Sequence, residues 1–223
     1  MYQIWLYKTT LSWCLILSGV LLKNVKTSVN KISISLTAER NSREYLIKST
    51  REVIILCSES IISVHRSKIK EGKTKALRAK KLLDKIRKKA GGELYKHLIT
   101  PEQEMVEAFA FLSIVEGKNI PSVESLGVRH GSYVLGLLDC IGELKRLVFD
   151  KIRSGKAKEA RNIFDIMENL YLLLYPFASY DRIVKEVRRK LDVNRVLIED
   201  TRAAVTEEIR RFELINAINK IRK

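Results

Sequence analysis

From about Ser42 onward, apolar residues recur at the three-to-four-residue spacing of a helix that buries one face. Tyr45, Ile47, Val53, Ile54, Leu56, Cys57, Ile61 and Ile62 form the first such stripe, and Ser42 suits its start. A second stripe, Leu77, Leu82, Leu83 and Ile86, runs through a very basic segment, with Gly72 as a joint or fray near its start and Gly91-Gly92 as its end. Thr100-Pro101 reads as an N-cap followed by Pro at the first helical position, opening a helix to about Glu116 that Gly117 and Pro121 stop. After a short loop holding Gly127 and Gly131, Tyr133–Arg153 and Lys156–Leu174 are predicted helices, the latter closed by Tyr175-Pro176. From Tyr180 almost to the terminus there is neither Pro nor Gly, which predicts one long helix or two abutting ones. The expected fold class is therefore all-α, a single bundle of about six or seven helices over residues 42–223.

Residues 1–41 read as a separate hydrophobic extension. Leu11–Leu22 (LSWCLILSGVLL) is bracketed by Lys8 and Lys23 and falls short of the roughly 20 residues a membrane span needs, so it resembles the core of a signal peptide. Both tryptophans, Trp5 and Trp13, also lie here, and one expectation is that translation begins near Val29, leaving residues 1–28 out of the mature protein.

Composition sharpens the picture. Only three Pro and ten Gly occur among 223 residues, which favours long helices. Cys14, Cys57 and Cys140 form an odd set without ligand spacing, arguing against a disulfide framework or a zinc site and for a reducing, cytoplasmic compartment; Cys57 and Cys140 read as small core residues. The net charge of +16 calls for a polyanionic partner. Residues 66–90 carry twelve Lys or Arg against Glu71 and Asp84, so ten of the sixteen excess charges sit in one stretch. With its apolar stripe buried, that helix presents Lys73, Lys75, Arg78, Lys80, Lys81, Lys85, Arg87, Lys88 and Lys89 as a phosphate-binding surface, RNA being favoured over duplex DNA. A membrane-surface protein, using Leu11–Leu22 as anchor and the basic stretch for anionic lipid, ranks last because some forty residues separate the two.

Two pairs of acids stand in apolar surroundings. Glu104 and Glu107 lie at i and i+3 ahead of AFAFLSIV, and Asp139 and Glu143 at i and i+4 within VLGLLDCIGEL, where Gly136 and Gly142 would admit a neighbouring backbone. Paired carboxylates on facing helices are how helical bundles hold hard cations, and crowded buried acids repel unless a cation neutralises them. Mg²⁺ or Mn²⁺ would suit such oxygen ligands and support phosphodiester hydrolysis. Spacing alone leaves plainer readings open: first-turn acids complementing a helix dipole, or Asp139 paired with Lys145 or Arg146 of a neighbouring chain. His65 and His130, in polar contexts without a carboxylate at ligand spacing, are expected at the surface; Arg129, beside His130 at a helix entrance, is expected to touch phosphate or nothing.

REVIILCSE at 51–59, EQEMVEAFAF at 102–111, GSYVLGLLDCIGELKR at 131–146 and LIEDTRAAVTEE at 197–208 together resemble the translin and Trax family, from about residue 42 to the C-terminus. The resemblance implies an all-α subunit in an octameric homo-oligomer that encloses RNA, with single-stranded DNA as a further ligand class. The Trax pattern of Glu-x-x-Glu and Asp-x-x-x-Glu falls on Glu104, Glu107, Asp139 and Glu143, implying a Mg²⁺-dependent endoribonuclease acting on single-stranded or partly paired RNA, nearer the archaeal Trax-like branch. Tyr95 and Lys96, with His97, are implied RNA neighbours. The alternative is a non-catalytic, translin-type binder of single-stranded nucleic acid.

Overall fold

The computed structural model describes residues 22–221, and among them the chain forms seven α-helices and no strand. They are α1 Lys23–His65, α2 Ile69–Arg87, α3 Ile99–Val115, the single turn α4 Val123–Leu126, α5 His130–Arg153, α6 Ala157–Leu174 and α7 Val187–Ile221. Short 3₁₀ segments, Gly92–Leu98 and Tyr175–Tyr180, lead into α3 and out of α6. The all-α expectation holds. No helix among the described residues is long and apolar enough to cross a membrane. The apolar run 11–22 and Cys14 lie outside the described residues, Leu22 excepted.

The chain divides into two compact units at Tyr45/Leu46. In the first, α1 is exposed at every residue from Leu22 to Glu44, including Val25, Val29, Ile32 and Leu36. The helix thus starts well before Ser42. Nothing between Lys23 and Ser42 breaks a helix, but no buried face marks one either, which is why periodicity placed its start too late.

The second unit holds the core. α5 lies at its centre and packs against α3, α6 and α7, with Leu138, Ile141, Leu144 and Val148 fully covered. Asn194 of α7, itself buried, donates to the main-chain oxygen of Leu138 at 2.9 Å and ties the last helix to the central one. From Ala108 onward α3 is apolar on nearly every side, as a helix segment with neighbours all round must be; Met105, Val106, Ala108, Ala110 and Phe111 are sealed.

Two glycines fix how closely helices approach. Gly72 is neither joint nor fray: it lies within α2, where a Cβ would stand 2.9 Å from Val64 Cγ2 and 3.0 Å from the Ser60 main-chain oxygen, and Ser60 Oγ donates to its carbonyl at 2.8 Å. At Gly136 a Cβ would meet the main-chain oxygen of Gln103 at 2.5 Å, so α5 rests on the backbone of α3. Gly142 has nothing within 4 Å and plays no such part.

Two expected boundaries move. α3 begins at Ile99, continuing from the 3₁₀ turn with Leu98 as its cap, so Thr100 does not cap and Glu104 and Glu107 are not first-turn acids. The stretch after Tyr180 is not helical until Val187. Asp181 Oδ1 accepts the Arg188 amide at 3.1 Å and Glu186 takes a positive φ of 72°, so a side-chain bond and one left-handed residue make a turn that no Gly or Pro announces.

Candidate metal and nucleic-acid site

The close crossing at Gly136 brings the two acid pairs together, Glu104 and Glu107 from α3 and Asp139 and Glu143 from α5, all half-buried. Their mutual influence is evident in their acidity. Burial, and then the charges of Glu104, Asp139 and Glu143, push the Glu107 carboxyl up to about 8. Burial, with Asp139 and Glu143 adding to it, also raises Glu104, while Lys190 opposes the rise. Beneath them the thiols of Cys57 and Cys140 are buried and pushed well up, mainly by burial and further by the nearby carboxylates, so both are neutral core residues as expected.

Two partners that the sequence reading did not assign to these acids, Lys190 and His65, complete the site. Lys190 of α7 grips both oxygens of Asp139. His65, at the end of α1, is buried rather than superficial: its Nε2 lies 2.6 Å from Glu143 Oε2, and its ring packs 4.7 Å from that of Phe111. Its Nδ1 stands 3.6 Å from Asp150 Oδ2, too long for a hydrogen bond. His130 is exposed, as expected. The partner of Asp139 is a lysine of its own chain, while Lys145 pairs with Asp200 at 3.2 Å.

The donor set suits a hard divalent cation: four carboxylates, no thiolate within the group, and a shared repulsion that an ion would relieve. With Asp139 on Lys190 and Glu143 on His65, however, no three His, Cys, Asp or Glu side chains among the described residues are gathered to hold one ion. A cation would have to compete with Lys190 and His65 for those two acids.

A third feature, also unanticipated, flanks the site. Glu102 is 2 % exposed and is answered by two arginines. Its Oε2 accepts from Arg129 Nε at 2.9 Å and from the Arg129 amide at 3.3 Å, and its Oε1 from Arg87 Nη2 at 3.5 Å. Removing one partner of a buried ionic group strands the other. Because both arginines retain some access to water, Glu102→Ala is expected to lower stability by about 2 kcal/mol, below the range for fully buried pairs, as read from urea unfolding.

The basic stretch is less free than its composition implies. Lys73 lies 3.8 Å from Glu116, Lys75 2.8 Å from Glu71, Arg78 3.2 Å from Glu52 and Lys80 3.1 Å from Asp84. Arg87 bridges Asp84 and Glu102 and so belongs to the fold as much as to a surface. Lys81, Lys85, Lys88 and Lys89 are exposed on α2 and the turn after it, and Tyr95 and Lys96 on the 3₁₀ segment that follows.

An all-α bundle with two carboxylate pairs on crossing helices beside a basic helix defines a class of nucleic-acid-associated helical protein. Residues 41–200 match the Translin family model, and the chain belongs to that family. It is 32% identical over 192 residues to the uncharacterized protein MJ0175 of Methanocaldococcus jannaschii, covering 84% of this chain and 86% of that one. The structure of AfC3PO in complex with duplex RNA superposes with a TM-score of 0.76 at 28% identity, over 82% of this chain and 97% of the other. That of AfC3PO alone gives 0.74 at 29% identity, with the same coverage.

Proposed function

We propose that this protein is a divalent-cation-dependent endoribonuclease that assembles into a homo-oligomer and cuts single-stranded or partly paired RNA in the cytoplasm. The observation that carries this reading is the electrostatic coupling of Glu104, Glu107, Asp139 and Glu143 across the Gly136 crossing. Family membership and the likeness to a protein solved with duplex RNA support it.

Glu104, Glu107, Asp139 and Glu143 would hold Mg²⁺ or Mn²⁺. When bound, that ion supplies positive charge to phosphoryl oxygens and raises the acidity of water. The protein's own groups do the rest. Lys190 and His65 hold Asp139 and Glu143 in place by ionic and hydrogen-bonded contacts. Glu107, pushed up to about 8 by burial and its neighbours, carries its proton at neutral pH and would have to release it to serve as a ligand. Lys81, Lys85, Lys88, Lys89 and Lys96, with Tyr95, offer charge and a stacking face to the strand.

Glu107→Gln and Asp139→Asn are expected to reduce cleavage of a labelled RNA by at least about 10³-fold in Mg²⁺ while changing affinity less than about threefold. A denaturing gel and a binding titration on the same preparations test both halves. Cleavage at the unaltered rate in both variants would refute the assignment. One observation favours a second reading, a binder without catalysis: Asp139 and Glu143 are already engaged by Lys190 and His65. That reading predicts salt-sensitive binding and no product with either metal.

A further inference from the structure

Beside the acids, the turn missing from the sequence reading encloses a hollow of about 630 Å³. Its walls are the start of α3 (Thr100, Gln103), the start of α5 (Gly131, Ser132) and the segment Ile183–Glu186. Val184 methyls lie 3.6 and 3.7 Å from where a Cβ of Gly131 would be, which seats that segment over the entrance to α5. Lys190, the partner of Asp139, also lines the hollow and so links it to the acidic cluster.

The charge left over in this hollow is positive. Glu186 is taken by Arg189 at 2.6 Å and Lys190 by Asp139. Arg129 lines the hollow with a part-exposed side chain and spends its Nε and amide on Glu102, which fixes the guanidinium plane and leaves Nη2 buried without a hydrogen-bond partner. Lys185 is exposed and makes no ion pair among the described residues. The first amides of α5 add to this, because Gly131 and Ser132 lack intrahelical carbonyls and Arg129 provides no side-chain cap. A pre-oriented arginine, an exposed lysine and helix-end amides around a hollow big enough for one nucleotide form a receptor for a phosphodiester.

We propose that this hollow binds the backbone phosphate of a nucleotide adjoining the one presented to the acids, with Arg129 and Lys185 as its positioning residues and the ribose against Ile183 and Val184. The proposal rests on the RNA-binding part of the reading above, but not on cleavage. It gives Glu102 a purpose, since a buried carboxylate that orients Arg129 lowers the entropy lost on gripping phosphate.

The test uses the full-length protein and short RNA oligonucleotides that each carry one neutral methylphosphonate linkage, moved position by position, with affinity measured in chelator. In the unaltered protein, one linkage should cost about tenfold in affinity when neutralised. In Arg129→Gln and in Lys185→Ala, the same linkage should cost less than about twofold, every other linkage costing what it did before. Lys185→Ala removes only an exposed side chain and keeps the test valid if Arg129→Gln unfolds. A position pattern unchanged in Lys185→Ala, or a loss spread evenly over all the RNAs, would overturn the proposal. A parallel incubation with Mg²⁺ separates the two claims: no product alongside an intact position effect overturns the nuclease and supports the subsite.

Discussion

Alanine in place of Gly136 is expected to cost about 3 kcal/mol of stability and to lower activity by about 10²-fold, because it wedges apart the two helices that carry the acids. The new Cβ would lie 2.5 Å from the Gln103 main-chain oxygen and 2.7 Å from Val106 Cβ, and neither atom is the free end of a flexible side chain. Relief requires α3 and α5 to separate by about 1 Å, a displacement that interiors resist and that positioned catalytic groups tolerate poorly. Gly142→Ala, six residues along the same helix, is the contrast. With nothing within 4 Å, it should gain about 0.5–1 kcal/mol from helix propensity alone. Urea unfolding of the two variants checks the pair, and similar midpoints would contradict the crossing described above.

The second large effect concerns pH. The Glu107 carboxyl titrates at about 8 in the fold against 4.5 ordinarily, so the folded state holds its proton more tightly than the unfolded chain. Folding therefore takes up a proton between these values, and stability falls as pH rises through that window, levelling off above it. At 1.36 kcal/mol per pH unit, and discounting for residual water, the loss between pH 5 and 8 is on the order of 3 kcal/mol. Glu107→Gln, with no proton to lose, should lack this component. Unfolding midpoints in chelator across the range would show wild-type and variant curves diverging above pH 5, and curves that stay parallel would mean that Glu107 is not under pressure from its neighbours. Excess Mg²⁺ should narrow the gap by stabilising the ionised wild-type form.

What the sequence discloses follows from the range over which each interaction acts. Asp139 and Glu143 are one turn apart on a helix, and Glu104 and Glu107 nearly so, hence their shared faces are legible from spacing. Lys190 and His65 are not, because they reach the acids from 51 and 78 residues away and nothing local marks either as a partner. His65 even sits in a polar stretch, SVHRSK, that argues for exposure. The turn at 181–186 is hidden for a similar reason, since an aspartate bonding seven residues ahead replaces the glycine or proline that would announce it. The start of α1 escaped for the opposite one: its residues are helical without burying anything, and a period is visible only where a face is covered.

The engagement of the acids by side chains of the protein itself bears on how such a molecule is made and kept. A lysine and a histidine answer two of the four negative groups, and a retained proton answers a third near neutrality, so repulsion never requires a metal before the chain can collapse. If the nuclease reading proposed above holds, folding needs no divalent ion, and chelation should stop cleavage while leaving the fold intact.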